Sequence, residues 1–316
     1  MSGKFAVLVA LAMVATGCTP ASDTPVAPPV VPSASVVTSI DLGTSFPQQA
    51  FVDQCEDWDE WDKPAPPFEL LGDTWYVGTC GISAILIIGD KEHILIDSGV
   101  KAAVPLILQN IRALGIDPRD IGTLLISHEH FDHVGGHAAM VQATGARVIA
   151  SAEAAKVLAS GTVSPDDPQA AIHPAMRPVK VDRIVADGEV LRIDDKEITA
   201  HLTPGHTPGA MSWTWPACSL PWQPPVCRRV AYVDSLSPVS GDDYRFSDHP
   251  ALVAAFRTSI AKVAKLPCDI LATPHPSASQ MLDRMRAGTL LGGTTCADYA
   301  RSIGQRLDAR LKDEGA

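Results

Sequence analysis

The stretch SHEHFDHVGG, residues 127–136, decides how this chain is read. It packs His128, His130, Asp132 and His133 into a single short run. Just before it, Thr123-Leu-Leu-Ile126 is apolar and β-prone, which reads as a buried strand. The polar cluster therefore sits where a strand passes into a loop, the usual place for a site in an α/β protein. Imidazole and carboxylate at such short spacing form a ligand set for zinc. The cluster holds too many ligands for one tetrahedral ion that must also keep a position open, so it points to two metals completed from elsewhere. Gly135 and Gly136 permit a tight turn into a segment of helical pattern. The plain alternative is a surface loop that happens to be rich in histidine, and other parts of the chain argue against it.

Outward from this loop, strands and helices alternate. Phe68–Val77 reads as two strands about a Gly72-Asp73 turn, 82–88 as a buried strand, and 93–96 as another that ends in Asp97-Ser98-Gly99. Residues 102–114 carry apolar side chains at helical spacing and stop at Gly115. After the ligand loop come a helix over 137–145, a strand at 147–150, and a helix capped by Ser151. Residues 160–178 give no secondary-structure signal, and a long irregular loop of this kind is often functional. Strands follow at 183–185, 189–193 and 198–202, the last running into TPGHTPG with His206. A strand pair at 211–215 and 229–233 leads to Asp234-Ser-Leu-Ser237. A helix over 249–266 precedes a strand at 270–272 that ends in Thr273-Pro-His275. The pattern predicts a four-layer αββα sandwich, of class α/β (α+β), with two sheets face to face and helices outside. Polar clusters thus end four strands: 128–133, 206, 234–237 and 275. Gathered on one edge, five histidines and Asp132 make two sites of three ligands each, and three ligands with an open position is the catalytic zinc arrangement.

Other histidines read more plainly. His137 is expected on a helix surface, and His201, one position before the second loop, is expected to be structural. His93, His173 and His249 show no partner. Trp213 and Trp215 are expected to pack in the sheet.

The chain has 316 residues, room for one large domain or two small ones, and its net charge of −11 argues against a nucleic-acid partner. Lys4 and the apolar run FAVLVALAMVA have the form of a secretory signal, residues 1–17, too short to span a membrane stably. Ala15-Thr-Gly-Cys18 resembles a lipobox in which Cys18 is lipidated, although a leucine is expected where Ala15 stands. A simple cleaved signal is the other reading. Residues 18–65, rich in Pro, Ala, Ser and Val over their first half, read as a tether and extension, and 66–316 as the folded domain. Seven cysteines are an odd number, and Cys18 accounts for the odd one. An exported chain keeps disulfides, and local order favours Cys55–Cys80, Cys218–Cys227 and Cys268–Cys296 over the other pairings available.

The HxHxDH cluster with the later His206 and His275 resembles the metallo-β-lactamase superfamily over roughly residues 66–316. Within it, SHEHFDHVGG, TPGHTPGAMSWTW, AYVDSLSPVSGDDY, and LPCDILATPHPSAS with a later Cys296 resemble the subclass B3 enzymes; the last two are the more specific. The resemblance implies that His128, His130 and His206 hold a first Zn2+ and that Asp132, His133 and His275 hold a second. It implies a hydroxide at that dinuclear centre attacking the β-lactam carbonyl, with Asp132 orienting it. Ser235 would stand where another subclass has a zinc-ligating cysteine, and Ser237 would hydrogen-bond the substrate carboxylate. Asp97 resembles the superfamily's aspartate behind the ligands, which fixes their orientation.

The resulting expectation is a periplasmic β-lactam hydrolase, tethered to the outer membrane if Cys18 is lipidated, and a monomer by default. A second reading is another superfamily hydrolase, a glyoxalase II-like thioesterase or a lactonase. A third is a non-catalytic zinc-binding lipoprotein. Asp234 discriminates the first two. In the thioesterases and lactonases an aspartate at that strand end bridges the metals, whereas in the β-lactamase reading Asp234 points away and Ser235 faces the site.

Overall fold

The computed structural model describes residues 46–219 and 226–315. The signal segment, Cys18 and the tether as far as residue 45 lie outside the described residues. The first sheet has seven strands in chain order: β1 (Phe68–Leu71), β2 (Thr74–Tyr76), β3 (Ile85–Ile87), β4 (His93–Ile96), β5 (Ile121–Leu125), β6 (Arg147–Ala150) and β7 (Arg183–Ile184). β1 to β4 run antiparallel, and β4 to β7 pair in parallel. Parallel neighbours need crossovers. These contain α2 (Val104–Ala113), then α3 (Phe131–Val134) with α4 (His137–Thr144), then α5 (Ala152–Ser160).

The second sheet has five strands in the order β12-β11-β10-β9-β8, from β8 (Val190–Ile193), β9 (Lys196–Leu202), β10 (Met211–Cys218), β11 (Cys227–Tyr232) and β12 (Ile270–Ala272). α1 (Phe46–Gln54), α6 (Pro250–Val263), α7 (Met281–Arg286) and α8 (Cys296–Asp313) complete the α-helices of the described residues. One apolar cluster joins residues of both sheets. A second joins Ala231 and Leu271 to Phe256 of α6 and Ile303 of α8, so those helices cover the outer face of the smaller sheet. This is the four-layer sandwich that the alternation of elements predicts.

Local chemistry explains the boundaries. α5 starts where the Ser151 hydroxyl accepts from the Ala154 amide, and it stops at Gly161 in the left-handed region. α8 opens on a reciprocal capping box between Thr295 and Asp298. Trp213 and Trp215, two apart on β10, both face the space between the sheets and are buried. Their indole N–H groups donate across it, to the Ile126 carbonyl at 2.7 Å and to Thr74 Oγ1 at 3.0 Å. Trp213 therefore fastens the second sheet to the residue that leads into the ligand loop, and both indoles pack as expected.

Cys55–Cys80, Cys218–Cys227 and Cys268–Cys296 are all bonded, as neighbour order predicts. Within the stretch read as tether and extension, α1 is folded. Its Phe51 is fully buried against Phe68 and Tyr76, with ring centroids 4.9 and 5.1 Å away. His137 is a correction: it is not on the helix surface but fully buried, with Nδ1 2.7 Å from Ser98 Oγ. The cause is the close approach of the preceding turn to the end of β4, since a Cβ at Gly136 would meet the Ser98 carbonyl at 2.6 Å.

Candidate metal centre

β5 delivers the 127–133 loop, β9 delivers 203–209, β11 delivers 234–237 and β12 delivers His275, all to one edge of the sandwich. His128, His130 and His206 come together there, each with a ring nitrogen within 4.8 Å of the others'. The hydrogen bonds show which nitrogen is free. His130 places Nε2 2.9 Å from Asp167 Oδ2, and His206 places Nδ1 2.9 Å from the Ser237 carbonyl. Each of these rings keeps its other nitrogen for a ligand. His128 Nδ1 lies 3.2 Å from Ser127 Oγ, in hydrogen-bond contact, and 2.9 Å from Asp234 Oδ1 without hydrogen-bond alignment, while its Nε2 is buried with no partner. Three imidazoles anchored on one side leave three lone pairs on the other, which is the preparation a metal ligand set requires.

The second group is built on Asp132, whose Oδ2 lies 3.1 Å from His133 Nε2 and 3.3 Å from His275 Nε2. Asp132 Oδ1 and both His133 nitrogens are buried without a hydrogen-bond partner. Orphaned buried acceptors of this kind cost free energy unless something pairs with them. Paired nitrogen and carboxylate donors of this type suit a zinc-like ion, so the residues fit the group that the sequence implied.

The electrostatics agree. Burial holds His128 and His130 well below the usual histidine range, with the neighbouring imidazoles adding to the effect, and takes His206 down to about 3. Burial alone would push the Asp132 carboxyl up, but the His133 and His275 imidazoles outweigh it and bring it well below its ordinary value. Burial pulls His133 down, and the Asp132 and Asp97 carboxylates more than reverse this. The metal-free centre thus favours neutral imidazoles in the first triad and an ionised Asp132, with His133 shifted toward its protonated form.

Asp97 sits at the head of the ligand loop. Its carboxylate accepts from the Ser127 amide, the Ser127 hydroxyl and the Tyr232 hydroxyl, each at 2.7 Å, and lies 3.8 Å from His133 Nδ1. Asp97 (φ 65°) and Leu236 (φ 43°) both adopt the left-handed region that non-glycine residues avoid, and both flank the site. Asp234 is fully buried behind His128 and is absent from the converging donor atoms. It lies outside the converging donors, in keeping with the β-lactamase expectation, and its Oδ1 backs the His128 ring at 2.9 Å. The Ser235 hydroxyl is buried without a partner, and its carbonyl accepts from the Tyr299 hydroxyl at 2.6 Å. His201 pairs with Thr214 Oγ1 at 2.9 Å, away from the cluster, as a structural residue.

Several residues join the site that the sequence did not single out. Asp167 and His173 come from the irregular 160–178 loop. His173 stacks on His130 at 3.8 Å and 27° and lies near both His130 and Asp132. Nearly parallel rings present their lone pairs in parallel planes, so His173 forms a wall rather than a third ligand shared with His130. Trp58 and Trp61, both exposed, lie 6.0 and 6.2 Å from the His275 ring, and Trp61 meets Phe131 at 5.5 Å. The available signal was the Cys55–Cys80 bond, which ties the CEDWDEW segment to the residues just before β3.

Two triads of His and Asp donors on the strand-end edge of an αββα sandwich define a metal-dependent hydrolase. The family model described as "Metallo-beta-lactamase superfamily" matches residues 77–219. The solved structure of the MIM-2 metallo-β-lactamase is 47 % identical, with a TM-score of 0.80 over 85 % of this chain and 98 % of that one. MEM-A1, a subclass B3 metallo-β-lactamase from a soil metagenome library, is 40 % identical with a TM-score of 0.77, over 81 % of this chain and 99 % of that one. The chain belongs to the metallo-β-lactamase superfamily and, within it, to the subclass B3 metallo-β-lactamases. Among curated relatives, a hydroxyacylglutathione hydrolase of Bradyrhizobium sp. is 33 % identical over 34 % of this chain. The chain spans only 34 % of that relative's length, and 59 % of an uncharacterised Bacillus subtilis protein that is 28 % identical over 44 % of this chain.

Proposed function

We propose that the protein hydrolyses the amide bond of β-lactams with two zinc ions. The observation that carries this reading is the pair of adjacent donor triads, His128/His130/His206 and Asp132/His133/His275, in a chain 47 % identical to a metallo-β-lactamase over 85 % of its own length and 98 % of the other's. Each triad would hold one ion, and zinc there supplies an activated water at neutral pH and a Lewis acid for the carbonyl oxygen. The protein's own groups do the rest. Asp132 Oδ1, buried and unpartnered, is placed to orient the attacking water. The Ser235 and Ser237 hydroxyls stand on the same edge and would bind the substrate carboxylate. Trp58, Trp61, Phe131 and His173 form aromatic walls around the centre, suited to the apolar substituents of such substrates and to excluding bulk water. The apolar start of the chain and six paired cysteines support an exported, periplasmic enzyme, tethered if Cys18 is lipidated. A monomer is the working state.

Thioester hydrolysis is the second reading, favoured by the hydroxyacylglutathione hydrolase match. It needs an aspartate shared between the metals, and Asp234 stands behind His128 instead. A substrate panel separates the two. The purified zinc-loaded protein is expected to hydrolyse nitrocefin and a carbapenem and to leave a glutathione thioester intact. Cleavage of the thioester or a lactone with no β-lactam turnover would reverse the assignment.

A further inference from the structure

Glu129 lies between two ligands of the first triad, and the reaction proposed above gives it no task. Its side chain is fully buried. Oε2 accepts from the Thr207 hydroxyl at 2.7 Å, and Oε1 accepts from the Gly209 amide at 2.8 Å. Those two residues follow His206 closely on the neighbouring loop. One carboxylate thus spans the gap between the chain segment that supplies His128 and His130 and the segment that supplies His206. The other direct backbone tie between the two segments is the Met211 amide on the Ser127 carbonyl, at 2.6 Å. It sits at the base of the loops, where β10 begins.

The space for this bridge is made by an absent side chain. A Cβ at Gly209 would stand 2.7 Å from Glu129 Oε2 and 2.5 Å from the Ala154 amide. Burying a carboxylate against neutral donors alone is costly, and among its partners is no lysine or arginine. A side chain of this cost, held by contacts to one loop only, is more than filler.

We infer that Glu129 is a positioning residue for the first metal site: it clamps the His206 loop to the His128/His130 loop and sets the spacing of the three imidazoles. The inference rests on the metal-centre reading above, and not on which bond the enzyme cleaves. Removal of the clamp leaves His206 its ring bond to the Ser237 carbonyl but lets the loop drift, and a tetrahedral ion is intolerant of such drift. Loss of an orienting group behind a metal ligand typically weakens the metal by about 10- to 100-fold.

The test compares Glu129→Ala, Glu129→Gln and Thr207→Val in the full chain. Stepwise metal affinities are read by competition with a chromogenic chelator, first-site geometry by the visible absorption of the Co2+-substituted protein, and folding by circular dichroism. Glu129→Ala is expected to lose first-site affinity by about 10- to 100-fold with shifted Co2+ bands, and second-site affinity is expected to hold. Glu129→Gln is expected to stay within a few-fold of the parent, since its carbonyl can accept from Gly209 and its amide can donate to Thr207. A folded Glu129→Ala with parental first-site affinity and Co2+ bands overturns the inference, even if its melting temperature drops. So does Glu129→Gln failing as badly as Glu129→Ala, because charge and not the clamp would then matter. Where Glu129→Ala does not fold, Thr207→Val removes one of the two contacts; a few-fold first-site loss supports the clamp, and an unchanged first site overturns it. Both readouts are of metal, so a wrong substrate assignment would leave them untouched.

Discussion

Replacing Asp234 by Asn separates a residue that backs a ligand from one that bridges two ions. The carboxylate is fully buried, places Oδ1 2.9 Å from His128 Nδ1, and accepts from the Leu236 amide through Oδ2 at 3.0 Å. Asn has nearly the same volume, so packing survives, and its carbonyl can keep the Leu236 bond. Its NH2 group is then turned toward His128 Nδ1, and the acceptor charge beside that nitrogen is gone, leaving Ser127 Oγ at 3.2 Å as its hydrogen-bond contact. The tautomer that frees Nε2 for a ligand loses its electrostatic support. The expected loss is about 10- to 100-fold in first-site affinity, equivalent to about 1.4–2.8 kcal/mol. Stepwise zinc titration with metal analysis after gel filtration reads it directly. Stoichiometry is expected to stay at two, with the second affinity unchanged. Loss of the second ion would mean that Asp234 bridges, and would move the chain toward the thioesterase chemistry. Unchanged affinities would refute the orienting role.

His275→Ala removes one donor of the second triad and leaves His128, His130 and His206 intact. Metal analysis is expected to show one tightly held ion, and turnover is expected to fall strongly; parental stoichiometry and rate would remove His275 from the site. In the metal-free protein, burial pushes the Glu129 carboxyl up to about 7 from 4.5. A raised folded value means that its contribution to stability is full below about pH 4.5 and is lost as pH rises through about 7. At about 1.4 kcal/mol per unit this amounts to roughly 3 kcal/mol. Urea unfolding of chelated parent and Glu129→Gln is expected to show that decline only in the parent, and parallel curves would contradict it. The Cys268–Cys296 bond closes a loop with a sequence separation of 28, so the Cys268→Ala/Cys296→Ala pair is expected to lose about 3–4 kcal/mol. For a domain of this size that is a drop of roughly 6–15 °C in melting temperature, and a shift under 2 °C would show that the closed loop contributes little.

The strand-end loops were the legible part of the site. Histidine two to four residues after the strand-like runs at 123–126, 198–202 and 270–272 is a local pattern, and the sandwich brings such ends to one edge. What surrounds those donors was not legible. Asp167 and His173 sit in a loop without periodicity, and nothing local indicates that they reach His130. Trp58 and Trp61 lie in a segment whose position is set by a disulfide and by the packing of Phe51. His137 is polar and follows a glycine pair, so a surface place was the local expectation; the approach of Gly136 to the Ser98 carbonyl, a contact between two crossovers, buries it. Asp234 is adjacent in sequence to the serines at 235 and 237, and only the fold shows that its carboxylate faces His128. Periodicity reads one element at a time, whereas these placements depend on how elements meet.

In the proposed function, two metal-filled triads would together cleave a β-lactam. The most direct test of that function is nitrocefin hydrolysis by the chelator-stripped protein as zinc is returned in measured equivalents. The stripped protein is expected to be inactive, with rate rising on zinc addition and levelling near two equivalents per chain. Full activity in the stripped protein, or no hydrolysis at two bound equivalents, would contradict the account.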